Sequence, residues 1–214
     1  MNIAVKIENV NKIFGSTKVL DQVNVEFEQG KIHGLVGRNG SGKTMLMKCI
    51  CGLVPLSSGK IIVNKTVLDK DHIQIPPDIG VIIENPGFLP SYNAYKNLKF
   101  LADINGKISK EQIYKAIRKV GLDPEDKKKV GKYSLGMRQR LGLAQAIMEN
   151  PDLLVLDEPM NGLDKEGVED MRSDLLDLKK QGKTILLASH FFEDVERLCD
   201  TVSEMDKGKL HRIR

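Results

Sequence analysis

The sequence predicts an α/β protein whose core is a mainly parallel sheet flanked by helices, with an antiparallel β part and an inserted helical part. Three observations lead to this prediction. A short apolar strand at Ile32–Val36 runs through glycines into a helix, and two more buried strands, at residues 152–156 and Thr184–Ala188, are separated by a helical stretch. Between them, residues 92–149 carry almost no β-type runs, and their apolar residues follow helical spacing.

Length and composition are those of one globular domain. The chain has 214 residues, of which 41% are hydrophobic and 29% charged, so a sizeable core is possible and disorder is excluded. The apolar runs fall far short of the ~20 residues that a membrane span needs, and the first residues contain no apolar signal core. Three cysteines are too few for a disulfide framework, which favours the cytosol, and a net charge of +4 is too small to indicate nucleic acid.

The elements follow in order along the chain. In the first third, Val23, Val25 and Phe27 alternate with polar residues, the period of a half-buried strand. After Ile32–Val36 we expect a helix at residues 43–51, stopped by Gly52. Further strands are expected around Val5 and Ile7, at residues 60–64 and at residues 79–83.

The remaining elements complete one domain of residues 1–214. We expect a helix at residues 165–181 and a terminal hairpin at residues 201–214 that turns at Asp206 to Gly208. Residues 1–84 and 151–214 then form the α/β core with its β part, and about 85–150 form the helical insertion.

A phosphate-binding loop follows the strand at Ile32–Val36. The segment fits the pattern G-x-x-x-x-G-K-[ST], in which glycines let backbone N–H groups surround a phosphate chain. Lys43 would reach the β- and γ-phosphates of a nucleotide, and the Thr44 hydroxyl would ligate Mg²⁺. The predicted nucleotide-binding residues of the loop are Gly37, Arg38, Asn39, Gly40, Ser41, Gly42, Lys43 and Thr44.

A second half of the site is expected where a buried strand ends in acidic residues. Four aliphatic residues run into Asp157, Glu158 and Pro159. Asp157 would hold the Mg²⁺, and Glu158, one residue further on, is placed to polarise an attacking water. The sequence therefore predicts a nucleoside-triphosphate-hydrolysing core of the phosphate-loop type.

Five further segments resemble the ATP-binding subunit of ABC transporters over residues 3–210. Tyr133 to Leu141 resembles the family signature L-S-G-G-Q with its following Q-R, and Asn161 to Asp164 resembles the D-loop. His190 resembles the switch histidine, and Glu84 stands at the Q-loop position. Phe14 stands where the family stacks an aromatic ring on adenine. Without the other motifs, His190 would be interpreted as a structural residue, and Phe14 would be interpreted as a core residue. The signature residues are Ser134, Leu135, Gly136 and Met137, and the D-loop residues are Asn161, Gly162, Leu163 and Asp164.

The resemblance implies an ATPase that works as a dimer. The signature of one subunit closes over the ATP of a second, so a homodimer is expected, with Glu158, His190 and Lys43 as catalytic residues and Thr44, Asp157 and Glu84 as Mg²⁺ ligands. Two departures stand out: Glu84 replaces the usual glutamine, and Leu135 replaces a glycine.

The departures are similar to those of the bacterial branch that works with ABC-2-type membrane subunits, including bacitracin-resistance and lantibiotic-immunity exporters. That resemblance implies export of a peptide or drug-like substrate, on the cytoplasmic face of the membrane, with the membrane subunit docking at residues 85–97. Phe88, Leu89 and Tyr92 would suit such docking or form a local apolar cluster. A soluble ABC ATPase, such as a cluster-assembly ATPase, is the alternative.

Overall fold

The computed structural model describes residues 2–84 and 86–214, and within them ten strands form two sheets. One sheet has four strands in the order β2-β1-β4-β5, and the other has six in the order β10-β9-β3-β8-β7-β6. The strands are β1 (Ile3–Phe14), β2 (Thr17–Glu28), β3 (Ile32–Val36), β4 (Ser58–Val63), β5 (Thr66–Leu68), β6 (Ile79–Ile82), β7 (Leu153–Asp157), β8 (Thr184–Ala188), β9 (Thr201–Asp206) and β10 (Lys209–Arg212). The α-helices are α1 (Lys43–Ile50), α2 (Ala94–Asn105), α3 (Lys110–Lys119), α4 (Leu135–Ile147), α5 (Lys165–Lys180) and α6 (Phe192–Leu198).

The six-stranded sheet is the centre of the molecule. Strands β6, β7, β8, β3 and β9 run parallel, and only β10 is antiparallel to its neighbour. Every residue of β7 and β8 is buried, as expected for strands covered on both faces. Leu153 and Val155 face a core shared with α1 and the antiparallel sheet, while Leu154 and Leu156 face a second core shared with α4 and α5.

The helical part packs on one edge of this sheet. A Cβ added to Gly80 on β6 would lie 2.1 Å from the carbonyl oxygen of Ala146, so α4 approaches this strand at a distance that only glycine allows. Its helices begin at side-chain caps: Asn93 caps α2, Ser109 forms a capping box with Gln112 at α3, and Ser134 caps α4. These caps explain why the segment is helical despite its polarity.

The predicted fold class is confirmed. The strands at Ile32–Val36 and Thr184–Ala188 have the expected bounds, the helix expected at residues 43–51 is α1, and the terminal hairpin is β9 with β10. Strand β5 and helix α6 were not expected from the sequence. Within the described residues no helix has both the length and the apolar character that crossing a bilayer demands.

Candidate active site

The phosphate-binding loop leaves β3 in a conformation that requires glycine. Gly37 has φ +142°, and an added Cβ would lie 2.2 Å from the carbonyl oxygen of Met205 on β9. The buried Lys43 folds back over the loop, where its Nζ donates to the carbonyl oxygens of Gly37 at 2.7 Å and Arg38 at 3.3 Å. The loop backbone therefore surrounds the ammonium group of Lys43.

The N-terminus of α1 lacks a side-chain cap. Gly42 occupies the N-cap position with φ +116°, and it has no side chain that could accept from the first N–H groups of the helix. The hydroxyl of Ser41 is buried, and within the described residues it has no hydrogen-bond partner. Unpaired donors at a helix N-terminus form a site for an anion with several oxygens, such as a phosphate chain.

Thr44 and Asp157, which lie 113 residues apart in sequence, are in contact. Thr44 Oγ1 donates to Asp157 Oδ2 at 2.6 Å, because α1 begins beside the carboxyl end of β7. Mg²⁺ typically binds one or two oxygen ligands from a protein, such as a hydroxyl and a carboxylate oxygen, and fills its other positions with water and phosphate oxygens. The pair fits that ion, and no group of three or more His, Cys, Asp or Glu with metal-binding arrangement occurs in the described ranges.

Glu158 and His190 form a second pair, one residue after the end of β7 and two residues after the end of β8. His190 Nδ1 lies 2.7 Å from Glu158 Oε2, and the backbone N–H of Glu158 donates to the carbonyl oxygen of Ala188 at 3.0 Å. Glu158 has φ +51°, an uncommon value for a residue with a side chain, and such backbone is often found at functional sites. Parallel pairing of β7 with β8, in which Asp157 faces Ala188, brings the two side chains together.

His190 lines a different cavity, together with Gly37 and Arg38, whereas Lys43, Thr44, Asp157 and Glu158 line one cavity of about 730 Å³. Glu84, predicted as a metal ligand, lines it, and its Oε1 accepts a hydrogen bond from Lys48 Nζ at 2.6 Å. The Glu84 side chain is 65% exposed, and its carboxylate is bonded to Lys48 rather than to Thr44 or Asp157. Its predicted role at the metal therefore needs a rotation away from Lys48.

The segments predicted as the signature and the D-loop pack on each other within one chain. Ser134 Oγ accepts from the Met137 N–H at 3.1 Å and so caps α4, while Asp164 Oδ1 accepts from the Gly167 N–H at 2.9 Å and caps α5. Leu135 lies over Gly162, where an added Cβ would meet the Leu135 side chain at 2.1 Å. Leu135 is 42% exposed and lines the same cavity as the phosphate loop.

Phe14 lies at the end of β1 and is 49% exposed, so the alternative of a core residue is wrong. One face of its ring is covered by Lys12, whose Nζ is 4.6 Å from the ring centroid and donates to the Pro55 carbonyl oxygen at 2.7 Å. Phe14 does not line the cavity of the phosphate loop. Stacking on adenine remains a prediction.

The cavity lining includes four residues that were not predicted as site residues: Val19, Met45, Lys48 and Gln139. Lys48 stands one helical turn after Thr44, and Gln139 stands one turn after Leu135, so a spacing of four could have indicated both. Gln139 is buried, and its Oε1 has no hydrogen-bond partner in the part of the chain that the structure describes.

Comparisons with known proteins agree with this geometry. Residues 20–161 match the model of the family described as ABC transporter. The chain is 46% identical over 206 residues to an uncharacterised ABC transporter ATP-binding protein, YybJ, of Bacillus subtilis (strain 168), covering 96% of this chain and 94% of the relative.

Two further relatives have named transport roles. The chain is 41% identical to the bacitracin transport ATP-binding protein BcrA of Enterococcus faecalis, covering 98% of this chain and 68% of that protein. It is 38% identical to the lantibiotic transport ATP-binding protein SrtF of Streptococcus pyogenes, covering 96% and 88%. Among solved structures, a nucleotide-free ATP-binding cassette from an ABC transporter superposes with a TM-score of 0.88 at 25% identity, covering 100% of this chain and 92% of that one.

Proposed function

Because this chain belongs to the ABC transporter ATP-binding family, we propose that it hydrolyses ATP to drive export of a peptide or drug-like substrate through a separate membrane subunit. The observation that carries the proposal is the contact of Thr44 with Asp157 beside Lys43, with Glu158 and His190 paired at the next position. Residues 1–214 then act as one ATP-binding domain, in which residues 85–150 are the helical part.

Each residue of this site has a chemical task. Lys43 would exchange its two loop carbonyls for β- and γ-phosphate oxygens, and Thr44 and Asp157 would hold Mg²⁺, which when bound neutralises phosphate charge. Glu158 would accept a proton from the attacking water. His190 Nδ1–H donates to the Glu158 carboxylate, which orients that base.

The signature supports a dimer as the active form. The N-terminus of α4 carries Leu135, which is exposed and lines the cavity. We propose that Ser134, Leu135, Gly136 and Met137 contact the ATP of a second copy, while Asn161 to Asp164 line the interface. One chain would then hold half of each of two sites.

A groove next to the site supports a membrane partner. It has a volume of about 880 Å³ between β6, α2 and α4, and both Lys48 and Glu84 line it as well as the nucleotide cavity. Its rim includes Leu53, Ile75 and Ile104, which are 52%, 68% and 77% exposed. Exposed apolar side chains around a groove suit the apolar face of a helix.

We propose that a helix of the membrane subunit docks in this groove, which places the chain at the cytoplasmic face of the membrane. Of the docking segment expected at residues 85–97, Pro86 and Gly87 line the groove, Leu89 and Tyr92 are exposed but do not line it, and Asn85 lies outside the described residues. Substitution Ile104→Ser should reduce co-purification with membranes and leave the ATPase rate unchanged, whereas Ile73→Ser, 57% exposed outside the groove, should change neither. Absence from membranes in the wild type would favour the soluble cluster-assembly alternative.

The catalytic proposal is tested by Glu158→Gln. This variant should bind ATP, hydrolyse it about 10²–10⁴-fold more slowly because the proton acceptor is lost, and elute as a dimer with ATP in size-exclusion chromatography. Glu166→Gln, an exposed residue in the first turn of α5, is the matched control. Hydrolysis by Glu158→Gln at nearly the wild-type rate would exclude Glu158 as the base.

A further inference from the structure

The buried hydroxyl group of Ser189, the residue before His190, is bonded to the backbone of Phe191, the residue after it. Ser189 follows β8 and is only 3% exposed. Its Oγ donates to Asp194 Oδ2 at 3.1 Å and accepts from the backbone N–H of Phe191 at 3.1 Å. The backbone before and after His190 is therefore fixed through Ser189, and the exposed Phe191 ring lies 4.0 Å from the imidazole.

Asp194 connects this hydroxyl to a buried guanidinium. Arg172 on α5 donates to Asp194 Oδ1 from Nε at 2.9 Å and from Nη2 at 2.5 Å, and the other carboxylate oxygen accepts from Ser189. Asp194 is 1% exposed and Arg172 is 6% exposed. Each oxygen of the carboxylate thus has its own partner, as a buried charge requires.

The charge of Arg172 is balanced by more than one carboxylate. Its Nη1 donates to Glu169 at 2.6 Å and to Glu193 at 3.1 Å, and Arg197 donates to the same two glutamates at 2.7 Å and 3.2 Å. The network joins α5 to α6 across the loop that carries His190. The side chains of Glu169, Glu193 and Arg197 are 54%, 66% and 49% exposed, so the buried part of the network is the contact of Arg172 with Asp194. Buried, interlocked hydrogen bonds hold side chains within narrow limits.

A buried ion pair is weak evidence for stability, because desolvation offsets much of the attraction, and so its geometry is the more informative property. We propose that Ser189, Asp194 and Arg172 are positioning residues that hold the His190 ring at 2.7 Å from Glu158. The inference rests on the proposed function, in which Glu158 and His190 act on the attacking water. A reacting group displaced by about 1 Å can cost about 10² in rate, so this support has a measurable effect.

The kinetic test uses Ser189→Ala, which removes the central hydroxyl without leaving a charge unpaired. The variant should lower kcat about tenfold and leave KM for ATP within about twofold of wild type. In a His190→Ala background the same substitution should cause no further loss, because its effect passes through His190. Ser203→Ala, a buried serine on β9, is the matched control and should leave kcat unchanged in both backgrounds. An equal loss in both backgrounds, or no loss in either, would overturn the proposal.

A second measurement needs no nucleotide and no activity. The chain has only four histidines, so the ¹⁵N ring resonances of His190 can be assigned by their loss in His190→Ala. In the nucleotide-free protein, Ser189→Ala should move the His190 Nδ1 resonance toward its position in Glu158→Gln, whereas Ser203→Ala should not. An unmoved resonance would refute the network even if ATPase activity were as proposed. A moved resonance in a chain without ATPase activity would uphold the network and refute the proposed function.

Discussion

The ion pair of Lys48 with Glu84 makes Lys48→Met the most informative substitution at the site. Lys48 Nζ and Glu84 Oε1 are 2.6 Å apart, with side chains 25% and 65% exposed. If Glu84 is to ligate Mg²⁺ or its water, it must leave Lys48, and so the lysine competes with the metal. Removing the ammonium should therefore lower the Mg²⁺ concentration that gives half the maximal ATPase rate.

The exposure of the pair sets the size of this effect. Ion pairs open to solvent contribute about 0.2–1 kcal/mol, which corresponds to a change of at most about fivefold in an equilibrium constant. We expect Lys48→Met to lower the half-saturating Mg²⁺ concentration by up to about fivefold and the free energy of unfolding by no more than about 1 kcal/mol. Glu84→Gln should keep ATPase activity but need a different, higher Mg²⁺ concentration, since a hard cation prefers the charged oxygen, and Glu84→Ala should lose more.

The assay is a Mg²⁺ titration of ATPase rate for the wild type, the three single variants and the Lys48→Met, Glu84→Gln double variant. The double variant should match Glu84→Gln, because the lysine acts through the glutamate. Lys99→Met, which breaks the exposed pair with Asp103 on α2, serves as control. Superimposable curves for all variants would show that Glu84 stays away from the metal, and a rise in half-saturation for Lys48→Met would refute the competition.

Three further outcomes are expected. Lys43→Ala should abolish ATP binding, measured by nucleotide titration, because it removes the one ammonium inside the loop; retained affinity would refute the site assignment. Burial raises the pKa of Asp174 to about 6 in the folded protein. The protonated carboxyl group therefore contributes to the free energy of unfolding below about pH 4, and this contribution is lost as the pH rises through 6. Asp174→Asn should raise Tm at pH 7 and give no such gain at pH 4. Burial also raises the pKa of the cysteine thiols, to about 11 for Cys49 and about 12 for Cys51 and Cys199, so iodoacetamide should label the native chain far more slowly than the unfolded chain, and equal rates would contradict this.

Much of the fold is predictable because its central elements carry local signals. The strands β3, β7 and β8 are continuous apolar runs, and α1 follows a glycine-rich loop. Strand β5 has three residues, and it forms by pairing with β4. No local sequence pattern indicates that pairing. Helix α6 has seven residues, and it contacts α5 through the bond of Arg172 to Asp194, while its buried Val195 and Leu198 pack in the core that it shares with α5. These contacts are long-range.

The site divides in the same way. The contact of Thr44 with Asp157 follows from two motifs whose geometry the sequence specifies, and it is present at 2.6 Å. The pairing of Glu158 with His190 depends on which strand neighbours which, because β7 must lie beside β8 in the observed register before those strand ends meet. The distance between these residues along the sequence does not predict that β7 and β8 are neighbours in the sheet. The Lys48 contact of Glu84 likewise joins a helix to a loop 36 residues away.

Leu135 shows how a departure from a family pattern can be accommodated by the chain that carries it. A leucine at the start of α4 would obstruct close approach of backbone to a ligand, but here its side chain lies over Gly162, where no Cβ competes for the space. The turn that contains Gly162 is also bonded to the proposed catalytic residue, since the Asn161 N–H donates to the Glu158 carbonyl oxygen at 3.2 Å. Contacts therefore run without a break from Glu158 through Asn161 and Gly162 to Leu135. Because close-packed interiors transmit strain, we expect a displacement of Glu158 to reach Leu135, on the surface that we propose contacts the ATP of a second copy.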